Sequence, residues 1–351
     1  MKALILIGGI GTRLRPLTCH SPKPLLPILN RPFLEYQFML LKKHKITDVT
    51  LCVAYLSHEF ENYFGSGKKW GLNIKYVHEK QPLGTAGAVK NAGKFLTEPT
   101  VIFNGDILTD VDLTSMSRYH RKNGAFVTIS LTRVKDPTSF GLVETDKSGK
   151  IERFLEKPSW DEITCNTINA GIYIFEPGIL DYIPAGINYS LERGVFPALL
   201  EQGRSLYGFT SKGYWLDIGT IDKYLQAHQD LMAGCLNLPN NAKKSHENTW
   251  SEGKLSWGKH ITVDGRLFCG SNSKVCDFVQ VKGNVCIGNS VMIGKGSTVT
   301  DSVILDGTTI GDGVRIENAL IGKNCVIEPN SSLRQYTTLG NGTIIRKYSR
   351  L

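Results

Sequence analysis

Leu4-Ile5-Leu6-Ile7-Gly8-Gly9-Ile10-Gly11-Thr12-Arg13-Leu14-Arg15-Pro16-Leu17-Thr18 runs from a short apolar strand into a glycine-rich turn carrying a hydroxyl and two guanidinium groups. Glycines remove the Cβ atoms that would hold a ligand off the backbone. Successive N–H groups in such a turn can converge on one anion. Thr12, Arg13 and Arg15 add donors and positive charge, which suit phosphate. Two commoner phosphate loops are excluded. Walker A ends in Gly-Lys-Ser/Thr, a tripeptide absent from the chain, and the dinucleotide fingerprint needs a third glycine where Leu14 stands. A strand-to-helix turn with no ligand is the competing reading, and it gives the two arginines little to do.

The chain has 351 residues, enough for two domains, and its 41% hydrophobic content supports a proper core. A net charge of +9 fits an anionic ligand, with nucleic acid as the rival. No long Lys/Arg run and no nucleic-acid-binding module accompanies that charge, so nucleic acid is not expected. The eight cysteines include no Cys-x-x-Cys pair, which argues against zinc. The N-terminal apolar run is too short for a signal peptide, and no stretch reaches the roughly 18 apolar residues of a membrane span. The expectation is a cytoplasmic protein with reduced thiols and no membrane partner.

Residues 32–43 carry apolar side chains at helical spacing, while 49–54 and 74–77 read as buried parallel strands. Strands alternating with helices predict a doubly wound, Rossmann-like α/β sheet that binds ligands at the strands' carboxyl ends. Pro22-Lys23-Pro24-Leu25 fixes the backbone on both sides of one ammonium group. Val101 to Phe103 lead into Asn104-Gly105-Asp106, a carboxylate at a strand tip that suits a hard cation such as Mg²⁺. Asp110 and Asp112 nearby read as turn or cap residues.

The glycine turn and Pro22-Lys23-Pro24-Leu25 together resemble the signature of the sugar-1-phosphate nucleotidylyltransferases, and within them the guanylyltransferases acting on mannose 1-phosphate. The likeness extends along nearly the whole chain through later landmarks. It implies that Gly8, Gly9, Gly11, Thr12, Arg13 and Lys23 hold the triphosphate, with Arg13 and Lys23 catalytic. Glu79-Lys80-Gln81-Pro82-Leu83-Gly84-Thr85-Ala86-Gly87 matches the base-reading segment, giving Glu79, Pro82, Gly84 and Thr85 to the nucleotide along with Asn104 and Gly105. Glu156-Lys157-Pro158 and Asn169-Ala170-Gly171 match the sugar side, so that Gly141, Glu156, Lys157, Asn169 and Gly171 hold the sugar phosphate. Trp215-Leu216-Asp217-Ile218-Gly219-Thr220 matches the motif whose aspartate is the second metal ligand; Asp106 and Asp217 would then share one Mg²⁺.

From Val281 the sequence repeats: Val281, Ile287, Ile293 and Val299, then Ile310, Ile316 and Ile321, then Ile327, Leu333, Leu339 and Ile345, separated by glycine or Asn-Gly turns. This is the hexapeptide pattern of a left-handed parallel β-helix. No histidine follows Lys282 to serve as an acyltransferase base, so the repeat reads as scaffold and homo-oligomerisation surface. The expected organisation is a nucleotidyltransferase domain over 1–235, a linker over 236–256 and a β-helix over 257–351. The expected activity is transfer of a nucleoside monophosphate from NTP, GTP by resemblance, to a sugar 1-phosphate, mannose 1-phosphate by resemblance. The alternatives are GTP with heptose 1-phosphate, glucose 1-phosphate with UTP, dTTP or ATP, and a silent subunit that binds nucleotide-sugar.

Overall fold

The computed structural model describes residues 1–19, 21–54, 56–236 and 242–351. They form two compact units interleaved in sequence, one of Met1–Ile10 with Leu34–Asp217, the other of Gly11–Phe33 with Ile218–Leu351. Of the stretch read as a linker, residues 237–241 lie outside the described residues. Beyond them Lys243–His246 and Thr249–Ser251 pair as an antiparallel hairpin.

The first unit is an α/β sheet. Its parallel strands are β1 (Lys2–Ile7), β2 (Asp48–Val53), β3 (Asn73–His78) and β4 (Thr100–Asn104), in spatial order β4-β1-β2-β3. Burial from both faces explains their apolar runs. Helix α1 (Phe33–Lys43) connects towards β2 and ends where Lys45 takes a left-handed conformation (φ 59°). After α2 (Gly84–Asn91) and β4, the short strand β5 (Ile107–Thr109) and helix α3 (Leu113–Lys122) follow. Asp112 caps α3, accepting from the backbone N–H of Ser115 at 2.9 Å. The sheet then turns antiparallel through β6 (Val127–Arg133), β7 (Gly141–Thr145), β8 (Ile151–Glu156) and β9 (Thr167–Phe175). Strand β9 pairs with β4, β6 and β7, and β8 closes that edge. Strand β10 (Leu206–Thr210) runs parallel to β6, while β11 (Trp215–Asp217) pairs antiparallel with β5. Tyr173, Phe175 and Phe196 sit at the centre of the core, fully buried.

In the second unit the chain from Gly11 makes 3-10 turns at Thr12–Leu14, Leu17–Cys19 and Lys23–Leu25. A hairpin, Pro27–Ile28 with Arg31–Pro32, follows; Leu29 and Asn30 supply its two left-handed residues. The helix Ile221–Met232 packs on it, with the Tyr224 hydroxyl donating to the Pro27 carbonyl and the Leu29 N–H donating to His228 Nδ1 at 3.4 Å. Burial pushes the His228 imidazole down to about 3, so it stays neutral.

The rest of this unit is a parallel β-helix. Thr262 pairs with Gln280, Gln280 with Thr298, Thr298 with Arg315 and Arg315 with Ser332, so each coil takes 17 or 18 residues. Of the expected ladder members, Val281, Ile287, Ile293, Val299, Ile310, Ile316, Ile321, Ile327, Leu333 and Leu339 are buried, whereas Ile345 in the last coil is only half-buried. The apparent slips have a structural cause. Ile304 is an inward residue that the strict period misses, and the steps Val299 to Ile304 and Ile316 to Ile321 are five residues long. The shorter steps fall where Asp301 and Asn318 make the corner in left-handed conformation. Buried hydroxyls satisfy the corners: Ser297 donates to the Gly311 carbonyl and accepts from the Val314 N–H.

Ile304 stacks between Ile287 and Ile321 on adjacent coils, fully buried. Truncation there leaves a cavity that a stacked coil cannot collapse into. Ile304→Ala should cost about 2–5 kcal/mol, read as a lower urea midpoint. An unchanged midpoint would remove the ladder as the source of this unit's stability.

Candidate active site

The carboxyl ends of β1 and β4 define one corner of the first unit. Strand β4 stops at Asn104, two residues earlier than the sequence suggests, because Gly105 turns the chain. The Gly105 N–H donates to the Leu6 carbonyl at 2.9 Å, and a Cβ at Gly105 would lie 2.6 Å from that same oxygen. A second clamp comes from α1. The buried Gln37 side chain donates to the carbonyls of Asn104 at 3.0 Å and Ile107 at 2.9 Å, bracketing Gly105 and Asp106. Sequence reading missed Gln37, whose only signal is a polar residue on the buried face of a helix.

Asp217 ends β11 and its Cα partner in β5 is Ile107, the residue after Asp106. Two carboxylates far apart in sequence are therefore brought to one corner. Trp215 anchors β11 on the other side, its indole N–H donating to the Ala170 carbonyl at 2.9 Å. Among the described residues no group of three or more His, Cys, Asp or Glu could hold a metal. A pair of carboxylates is a donor set that suits a hard divalent cation taking its remaining oxygens from water and phosphates.

Gly8 lies against Glu79: a Cβ there would sit 3.2 Å from Glu79 Oε1. Glu79 is 8% exposed. Its Oε2 accepts the Leu83 N–H at 3.0 Å, whereas buried Oε1 has no hydrogen-bond partner among the described residues. Burial raises its carboxyl above the ordinary range, partly offset by the Leu83 N–H. Gly84, at φ 70°, starts α2 where any side chain would strike the Tyr189 carbonyl. That carbonyl takes the N–H groups of Ala86 at 2.9 Å and Gly87 at 3.2 Å, so the start of α2 is stapled to residues 188–191. The Asn188 side chain adds a bond to the Pro82 carbonyl at 3.0 Å. The Thr85 hydroxyl accepts from the Leu191 N–H and donates to Glu192, leaving its side chain no proton for a ligand.

Gly141 and Glu156 face each other across β7 and β8, and a Cβ on Gly141 would lie 2.7 Å from Phe154. Lys157 leaves β8 in a left-handed conformation (φ 54°), its N–H held by the Phe140 carbonyl at 2.9 Å. Glu156 is raised by burial, then by the charge of Glu192, with Lys157 acting the other way. In β9 the register with β6 shifts between Asn169 and Tyr173, a bulge centred on Gly171 at φ 71°. The bulge brings Gly171 against the Asn104 amide. Asn169 Oδ1 accepts the Gly171 N–H, and its Nδ2 donates to Tyr173, both at 2.9 Å.

The glycine turn crosses from one compact unit to the other between Ile10 and Gly11. In the second unit Gly11 is left-handed (φ 70°), its carbonyl taking the Thr18 hydroxyl at 2.8 Å and the Leu14 N–H at 3.0 Å. Thr12 and Arg13 are exposed, and Lys23 opens its own 3-10 turn after Pro22. A cavity of about 550 Å³ lined by His120, Arg121, Phe126, Glu176 and Arg204 opens at the opposite end of the sheet, where β4 begins. It has no part in the corner just described.

Comparison with known proteins identifies the family. The nucleotidyl transferase family model covers residues 2–234, and a model of the GMPPB C-terminal domain covers 263–350. The chain is 38% identical to the mannose-1-phosphate guanylyltransferase of Mycobacterium tuberculosis over 88% of its own length and 80% of that protein's. It is 34% identical to a UTP–glucose-1-phosphate uridylyltransferase of Synechocystis over 95% of its length and 90% of that protein's. Among solved structures, HddC of Yersinia pseudotuberculosis in complex with GMP-PN superposes with a TM-score of 0.57 at 26% identity, covering 66% of this chain and 99% of that one. The chain belongs to the nucleotidyl transferase family.

Proposed function

We propose that this enzyme transfers GMP from GTP to mannose 1-phosphate and releases pyrophosphate. The observation that carries the reading is the pairing of Asp217 with Ile107, which sets a second carboxylate beside Asp106 where β4 ends. A divalent cation held by Asp106 and Asp217, Mg²⁺ by its preference for hard oxygens, would neutralise phosphate charge. The sugar phosphate oxygen is already ionised, so attack on the α-phosphorus needs no covalent enzyme nucleophile. The protein's task is positioning and charge compensation. Gly8, Gly9, Gly11 and Thr12 present backbone N–H groups and a hydroxyl to the triphosphate. Arg13 and Lys23 offset the charge that grows on the departing pyrophosphate. Lys157 orients the incoming phosphate, while Gly141, Glu156, Asn169 and Gly171 hold the sugar.

The choice of base rests on Glu79. Its Oε1 is a buried acceptor beside Gly8 with no donor among the described residues. Guanine offers N1–H and N2–H donors on one edge, more than uracil or adenine present to a carboxylate. Pro82, Gly84, Thr85, Asn104 and Gly105 shape the rest of this pocket. The likeness to the Synechocystis enzyme, longer than that to the guanylyltransferase, favours glucose 1-phosphate with UTP as a second reading. We keep the division into a catalytic domain over 1–235 and a β-helix from 257 that serves homo-oligomerisation. The eight cysteines of the whole chain are all free thiols, which suits work in the cytoplasm, and among the described residues no helix is long and apolar enough to cross a membrane.

Pyrophosphate release measured with GTP, ATP, UTP, CTP and dTTP against mannose, glucose and heptose 1-phosphates decides the pair. GTP with mannose 1-phosphate should dominate; UTP with glucose 1-phosphate would install the second reading. Asp106→Ala should fold normally and lose at least about 10²-fold in turnover. Normal turnover in that variant would refute the metal site.

Glu79→Gln separates stability from recognition. A carboxyl whose folded value is raised stabilises the fold below its unfolded value and loses that contribution as pH rises through the folded one. The amide removes this liability and keeps an oxygen for the Leu83 N–H. The variant should melt higher than the parent at pH 8, with the difference fading towards pH 4, while its KM for GTP rises. A KM unchanged for GTP would take Glu79 out of the base site.

A further inference from the structure

We infer that Glu192 is a positioning residue whose carboxylate, acting through the Tyr173 hydroxyl, makes Asn169 present an amide N–H to the sugar phosphate. The inference rests on the sugar-phosphate reading of Asn169 given above. Glu192 lies in the short π-helical segment Leu191–Val195, outside every motif read from the sequence. A carboxylate only accepts hydrogen bonds. Its Oε2 takes the hydroxyls of Thr85 at 2.8 Å and Ser190 at 2.7 Å, and its Oε1 takes that of Tyr173 at 3.3 Å.

The direction of each bond is forced. Thr85 Oγ1 already accepts the Leu191 N–H, and Ser190 Oγ accepts the N–H groups of Glu192 and Arg193, so both hydroxyl protons must point to Glu192. The fully buried Tyr173 has a single proton, committed to Glu192, and can only accept from Asn169. Asn169 therefore turns Nδ2 to Tyr173 and Oδ1 to the Gly171 N–H. One Nδ2–H remains for a ligand. Glu192 thus connects the start of α2, on the nucleotide side, with the bulge in β9, on the sugar side. Its charge also reaches Glu156, the other carboxylate of that side.

Glu192→Gln keeps shape and reverses polarity at one arm. An Nε2 facing Tyr173 donates to it, and Tyr173 must then turn its proton to Asn169. The Asn169 amide flips to accept, loses the Gly171 N–H and presents oxygen where it had presented a donor. Steady-state kinetics with GTP and mannose 1-phosphate should show KM for the sugar phosphate raised about tenfold, the loss of one hydrogen bond, with KM for GTP little changed. Tyr173→Phe removes the proton that forces the flip and leaves the Gly171 N–H on Asn169 Oδ1, so its rise should be smaller than that of Glu192→Gln, and the double variant should fall back to the Tyr173→Phe value. Thermal unfolding of each variant checks that the fold is kept. A sugar-phosphate KM unchanged in both folded variants overturns the inference, as does an equal rise for both substrates. Inactivity of the parent chain with every NTP and sugar 1-phosphate pair overturns the transferase reading itself, and the inference with it.

Discussion

The first unit depends on one constraint: the turn after β4 must stay tight against the end of β1. The Leu6 carbonyl accepts the Gly105 N–H, and no side chain fits at 105 without striking that oxygen. Gln37 clamps the same turn from the opposite direction through two main-chain carbonyls. Together they fix where Asp106 leaves the sheet, and β5 can then receive β11 in the register that sets Ile107 opposite Asp217. The carboxylate pair thus follows from backbone geometry.

Around that corner the protein spends polar groups in two ways. Thr85, Ser190, Tyr173 and Asn169 are bonded to one another or to Glu192 and form a closed polar network with fixed proton directions. Glu79 Oε1, by contrast, is buried with no hydrogen-bond partner among the described residues, as is Asn104 Oδ1. A buried acceptor left open costs stability in the free protein and gains a partner only when a donor arrives. Satisfied groups hold shape, and open ones mark where recognition is expected.

Much of the sheet was legible because parallel strands buried on both faces write themselves as apolar runs, as in Val49 to Val53 and Val101 to Phe103. The β-helix was legible for the same kind of reason, one inward residue per hexad. What escaped was what periodicity cannot carry. The five-residue corners at Asp301 and Asn318 hid Ile304 from the ladder. The strand at Trp215–Asp217 is only three residues long, too short for a pattern. Gln37 and Glu192 escaped because their partners lie at sequence distances of 67 or more and of up to 107 residues. Nor does the base-reading segment announce that the N–H groups of Ala86 and Gly87 are taken by the Tyr189 carbonyl, more than a hundred residues away.

The coil-by-coil pairing of the β-helix makes its length a quantised variable. Each coil hands its register to the next, as Thr298 does to Arg315 and Arg315 to Ser332. Adding or deleting one residue within a face would turn every later inward side chain outward, whereas removing a whole coil would leave the neighbours in register. Descendants of this chain are therefore free to lengthen or shorten the β-helix in whole coils, while single-residue changes are confined to its corners.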